Sequence, residues 1–178
     1  MRSAARAFVV LLILFSATEA LAATSRTTLP GGGVLDLVLP DGWRAATEIS
    51  GPGLTVRITA ASADFVVLIT ALPVRAGSTV KSADDVRNLV IQQGTAALAS
   101  ALQEKLEMSE VRSEGGVAFL YHLTDRSPER GPGDYREANQ GAMLLGRYLL
   151  TITILTHPGD DAIVAQAKGL LASAQVAD

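Results

Sequence analysis

The chain has 178 residues, with 15 Lys+Arg against 18 Asp+Glu, no cysteine and a formal net charge of −3. The missing cysteines exclude disulfide exchange, thiolate catalysis and Cys-based zinc sites. A mildly acidic chain without basic runs gives no electrostatic reason to bind nucleic acid or anionic lipid.

Residues 1–22 read as a secretory signal peptide. Arg2 and Arg6 form a positive n-region, residues 7–17 (AFVVLLILFSA) an apolar stretch, and Ala20-Leu21-Ala22 a small-x-small cleavage site. That stretch is about half of the roughly 20 residues needed to cross a bilayer, so cleavage after Ala22 is expected and stable membrane insertion is not. No Cys follows it that could carry a lipid. Cleavage removes two arginines and Glu19, which takes the net charge from −3 to −4. A periplasmic or secreted location is expected, and there the fold must stand by packing alone. A remainder of this length buries roughly 70% of its unfolded surface in one core, which points to a single domain over residues 29–178.

Residues 23–28 are small and polar and read as a disordered lead-in. A Pro-Gly turn at residues 29–33 precedes a first strand at 34–39, which Leu39-Pro40-Asp41-Gly42-Trp43 ends in a tight turn carrying the only Trp. An aromatic placed there is expected to plug one end of the core. Residues 54–59 alternate apolar and polar as a half-buried strand, and residues 65–72 (FVVLITAL) are continuously apolar, as in a strand covered on both faces. Residues 82–105 read as the main helix. Ser82 and Asp85 form a capping box, Val86, Leu89, Val90, Ala97, Leu98, Ala101 and Leu102 an apolar stripe, and Gln92, Gln103, Glu104 and Lys105 a solvated one. Gly94 in mid-helix suggests close approach to a sheet.

Residues 107–112 and 117–124 form a hairpin, with Val117, Phe119, Tyr121 and Leu123 on one face and Ala118, Leu120, His122 and Thr124 on the other. Residues 125–136 (DRSPERGPGDYR) are the longest polar loop. Residues 137–156 read as two long strands folded back at Gly146-Arg147, in which Tyr148, Leu150, Ile152 and Ile154 share a face. His157-Pro158-Gly159 then breaks the chain before a closing helix lined by Ile163, Ala167, Leu170, Leu171 and Ala174. The fold class is therefore α+β. It is expected as an α/β/α sandwich around a mainly antiparallel sheet of about six or seven strands, with one long helix after the third strand and one C-terminal helix.

This order of elements, with Leu39-Pro40-Asp41-Gly42-Trp43 near its start, resembles the PsbP-like sandwich, named for an extrinsic photosystem II subunit and found also in small bacterial periplasmic proteins and lipoproteins. The likeness spans residues 29–176. It implies non-enzymatic assistance to a partner, and it supplies no catalytic positions to carry over.

Candidate chemistry is sparse. Ser78-Thr79-Val80-Lys81 has the Ser-x-x-Lys spacing of penicillin-binding proteins but lacks the companion Ser/Asn and Lys-Thr-Gly motifs. His122, His157 and Asp160 could make a minimal metal triad, but their spacing carries no local signature. No catalytic residue, cofactor or metal is assigned. The loop is the first choice for a contact surface with a cell-envelope protein, through Arg126, Glu129, Arg130, Asp134, Tyr135 and Arg136. The alternative is a carrier of an apolar or lipid-like small ligand, with a pocket between sheet and helix near Trp43 and Phe119. N-terminal sequencing of the exported protein should read from Ala23; a start at Met1 would refute cleavage.

Overall fold

The computed structural model describes residues 23–127 and 134–177, so the expected signal peptide lies outside the described residues. In chain order the elements are β1 (Ala23–Thr28), β2 (Val34–Leu39), β3 (Trp43–Ser50), β4 (Gly53–Ala60), β5 (Val66–Pro73), α1 (Ala83–Ala97), β6 (Glu107–Arg112), β7 (Val117–Thr124), β8 (Glu137–Leu145), β9 (Tyr148–Thr156), α2 (Asp161–Ala172) and β10 (Gln175–Ala177).

The segment expected to be a paired hairpin holds the middle of the sheet. β9 pairs antiparallel with β8 from Leu145↔Tyr148 to Glu137↔Thr156, and on its other side with β5 from Pro73↔Tyr148 to Val66↔Leu155. The full order is β3-β4-β5-β9-β8-β7-β6, and a second sheet has the order β1-β2-β10. Side chains alternate between faces along each strand, so this register sorts the protein into two cores. Val56, Ile58, Val67, Ile69, Leu120, Met143, Leu145, Tyr148, Leu150, Ile152 and Ile154 face the small sheet and α2, where they meet Leu35, Leu37, Leu170 and Leu171. Phe119, Tyr121, Leu123 and Ala142 face α1 and meet Val86 and Val90.

The architecture is thus an α+β sandwich. One outer layer is α1, and the other is shared between α2 and the three-stranded sheet. The turn at Pro40 to Trp43 is the corner between the sheets: the Trp43 N–H donates to Pro40 O at 3.1 Å, and Gly42 takes φ 76°, which suits glycine. Trp43 plugs the core as expected, 8% exposed and with its ring centroid 4.4 Å from that of Phe65.

Several expectations need correcting. Residues 23–28 are not a lead-in but β1, paired with β2 from Ala23↔Leu39 to Thr28↔Val34 and tied by a two-bond ion pair from Arg26 to Asp36, at 2.9 Å each. The long helix follows the fifth strand, because β1 and β3 precede it as well. Both lie at sheet edges, where a polar strand meets no burial penalty. β5 is not covered on both faces: Leu68, Thr70 and Leu72 are half-buried, since α1 packs over β7 and β8 and stops short of β5.

The helix also ends sooner than its apolar stripe suggests. α1 stops at Ala97 and passes through a 3-10 turn at Leu98–Ser100, and Leu102 is 52% exposed. The end of β7 captures the next backbone, with the Leu102 N–H donating to Thr124 O at 2.9 Å. Gln103 does not belong to a solvated stripe. Its amide donates to Thr124 Oγ1 at 2.9 Å and accepts from the Thr124 N–H at 2.8 Å.

At its start α1 follows expectation, with Ser82 Oγ accepting from the Asp85 N–H and Asp85 accepting from the Ser82 N–H at 3.0 Å. Gly94 brings the helix onto the sheet, since a Cβ there would stand 2.5 Å from Leu106 Cδ1 and 2.9 Å from Tyr121 Cδ1. Gly141 plays the same part between strands: a Cβ would lie 1.9 Å from Phe119 O, in backbone that cannot swing aside. Gly141→Ala should therefore lower stability by about 2–3 kcal/mol, read as a lower urea midpoint with an unchanged slope. A midpoint within error of the parent would refute this packing.

Candidate functional site

At the Glu137 end of the central hairpin, the face that is apolar elsewhere turns polar. The cross-strand row that runs Ile58, Val67, Ile154 continues into Asn139 and His122, and the next row pairs Thr156 with Glu137 and Glu137 with Thr124. Of these, His122 and Glu137 keep part of their side chains exposed, 38% and 17%, whereas Asn139 and Thr156 are buried.

Two hydrogen-bonded groups stand at this corner. In the first, Glu137 accepts from Thr124 Oγ1 at 3.0 and 3.2 Å and pairs closely with His122 Nε2, while Gln103 holds Thr124 from behind. In the second, Asp64 bridges two segments, with Tyr135 Oη donating to Oδ1 at 2.9 Å and His157 Nε2 lying 3.1 Å from Oδ2. The Tyr135 and His157 rings also meet, with centroids 5.2 Å apart. This geometry holds the Asp64 carboxyl below its ordinary value, first through His157 and then through Tyr135. It also pushes the Tyr135 phenol up, through burial first and the Asp64 hydrogen bond second.

Between these groups and the start of α2 lies a cleft of about 340 Å³. Its lining includes His122, Glu137, Asn139, Thr156, His157, Asp160, Asp161 and Lys168. Asp160 does not cap α2 with its side chain; its Oδ2 accepts the His157 N–H at 3.0 Å and shapes the turn instead.

Asn139 is the unusual member. It is 5% exposed, yet no described residue hydrogen-bonds its side-chain amide. Among the described residues Arg136 Nε is the unpartnered side-chain nitrogen that is fully sealed, so the equally unpartnered Asn139 amide opens onto the cleft. Its hydrogen-bonding capacity is thus left to whatever enters the cleft, whereas an apolar residue continuing the Ile58, Val67, Ile154 row would need no partner there.

The residues singled out from sequence fare differently. His122, His157 and Asp160 do meet at one cleft, but each histidine is engaged by a different carboxylate. Among the described residues no three His, Asp or Glu side chains converge as metal ligands would. Arg126 and Tyr135 belong to the base of the 125–136 loop, where the Arg126 guanidinium donates to Ala101 O at 2.8 Å. Arg136 donates to Asp125 O at 3.4 Å, and Asp134 also has an interaction partner. Glu129 and Arg130 lie outside the described residues. Trp43 and Phe119 are not brought together: they pack on opposite faces of the main sheet, in separate cores, and neither lines this cleft.

Sequence reasoning missed the Glu137-Asn139 corner because it weighed the abundant Leu, Ile and Thr of residues 137–156. The signal was present: Glu137 and Asn139 share the parity of Met143 and Leu145, so they stand on a buried face.

Architecture and order of elements define a PsbP-like fold. Among solved structures, the solution structure of cyanobacterial PsbP (CyanoP) from Synechocystis sp. PCC 6803 superposes with a TM-score of 0.55 at 17% identity, covering 90% of this chain and 96% of that one. No protein-family model and no curated protein sequence matches the chain.

The Asp64 node makes a pH prediction. A carboxyl whose value is depressed on folding adds stability that is complete above its ordinary value of 3.8 and is lost as pH falls through the depressed one. Asp64→Asn should therefore lower the melting temperature at pH 7, and the gap to the parent should close as pH drops below about 4. A gap that stays constant down to pH 2 would show that the node is not ionic.

Proposed function

We propose that the protein is an exported, non-enzymatic accessory or binding protein that contacts another cell-envelope protein through the 125–136 loop. The PsbP-like fold supports the accessory role by analogy of architecture. The observation that carries the choice of surface is the clamp at the base of the loop. The Asp125 N–H donates to Arg136 O at 2.8 Å and the Arg126 N–H to Ser100 O at 3.0 Å, while Tyr135 is pinned on Asp64. Two strands, the end of α1 and the β4–β5 turn thus hold both ends of one polar loop, so those ends lose little further freedom when a partner docks. Arg and Tyr are the residue types that supply most binding energy at such contacts.

The clamp also divides the labour within the loop. Arg126, Tyr135 and Arg136 set its base, and Asp134 stands next to them, while Glu129 and Arg130 belong to its middle by sequence. A carrier role for an apolar ligand draws no support from Trp43 and Phe119, which fill separate cores.

The partner is to be recovered with the tagged parent protein from its own envelope. Glu129→Ala with Arg130→Ala should then weaken capture of that same partner about tenfold at an unchanged melting temperature. Tyr135→Ala should weaken capture and lower the melting temperature together. Undiminished capture by the double variant would sink this choice of surface.

A further inference from the structure

We propose that the cleft between the Glu137 end of β8 and the start of α2 is a binding site for a guanidinium or primary ammonium group, with Asn139 as its recognition residue. The site stands independently of the loop contact.

Three observations carry this. Asn139 as a residue is 5% exposed, its amide lacks a described protein partner, and the part of it left open faces the cleft. A polar side chain kept in a buried row where its neighbours are Ile and Val costs stability, and a ligand that uses it removes that cost. Thr156 Oγ1 joins it: this residue is 1% exposed, lines the same cleft, and no described group hydrogen-bonds its side chain.

The second observation is charge. Glu137, Asp160 and Asp161 bring three carboxylates to the lining against the single ammonium of Lys168. Lys168 forms no ion pair with them among the described residues, and it stands two turns along α2 from Asp161. The Glu137 side chain is only 17% exposed, so its field is less screened than that of a surface carboxylate.

The third observation is the match of donors to acceptors. Glu137 spends acceptor capacity on His122 and Thr124, and Asp160 Oδ2 spends one site on the His157 N–H. The remaining carboxylate lone pairs, the Asn139 carbonyl and Thr156 Oγ1 are acceptors on residues that line one cleft, with the Asn139 NH2 and the Thr156 hydroxyl as the donors beside them. A guanidinium, with five donors and no acceptor, or an ammonium, with three, is the chemistry that satisfies them. A cleft of about 340 Å³ has room for one such group and its stem.

The same chemistry could arrive as a free amine or as an Arg or Lys side chain of a partner, and the experiment separates the two. N-acetyl-arginine amide and N-acetyl-lysine amide are titrated into 15N-labelled protein, with the backbone amides of Glu137, Thr156, His157 and Asp161 on the cleft lining, which both variants below retain, as the reporters. N-acetyl-glutamate amide and glucose serve as anionic and neutral probes.

A saturable shift with the cationic probes is expected. Asn139→Leu should weaken it about tenfold or more while keeping or raising the melting temperature, because an orphan polar group is replaced by one that suits the row. Should that variant misfold, Asp161→Asn on the exposed first turn carries the test, with affinity falling by about two- to fivefold. A capped tripeptide Gly-Arg-Gly that binds at least tenfold tighter than the single residue identifies a protein side chain as the source; equal affinity identifies a free amine. The proposal is overturned by the absence of a saturable shift, by a shift that survives both variants, or by stronger binding of glutamate or glucose.

Discussion

The pairing of β9 between β5 and β8 is the constraint on which the remaining structure depends. Eight of the nine residues of one strand are paired on both edges, and their alternation assigns the neighbouring side chains to one of two cores. A slip of one residue would carry Tyr148, Leu150, Ile152 and Ile154 to the half-open face and expose the largest apolar block in the protein. Gly141 makes this arrangement possible on the β8 side, because it lets the β7 backbone close in where any side chain would hold it off.

The two faces are unequal, and that inequality makes room for the polar corner. On one side α1 covers only β7 and β8, so the sheet beyond carries threonines, among them Thr55 and Thr70, whose hydroxyls lie 2.8 Å apart. On the other side the small sheet and α2 cover almost everything, and the inner row is apolar until it reaches Asn139. Sidedness at most strand positions follows from burial. At Asn139, Thr156 and Glu137 it follows from register alone, and these three polar positions face inward to form one wall of the cleft, with Asp161, Val164 and Lys168 of α2 on the lining beside them.

Much of the fold is legible in the sequence, for definable reasons. The hairpin at 137–156, the capped start of α1, the Trp43 corner and the closing helix all declare themselves through alternation, capping or turn chemistry. What stayed hidden were elements whose stability is not local. Ala23–Thr28 has no apolar pattern and becomes a strand because β2 offers it an edge. WRAATEIS, the strand at Trp43–Ser50, is an edge strand whose outward residues gain nothing from being apolar. The end of α1 is set by Thr124, far along the chain, and no propensity in residues 98–105 announces it. At the candidate site, histidines and acids in turns were visible as types, but which carboxylate each histidine meets depends on the pairing of β4, β5, β7, β8 and β9. The loop at 125–136 could be picked out by its composition, whereas its clamping could not.

The small sheet joins the two ends of the described chain: β2 lies between β1 and β10, with Asp36 opposite both Arg26 and Gln175. Contacts of such long sequence separation form late, after the entropy of closing nearly the whole chain has been met. A polypeptide still emerging through a narrow channel, tail last, would have its second ribbon waiting for a neighbour not yet delivered. Threading would thus be kept ahead of locking, with Gln175–Ala177 acting as the latch.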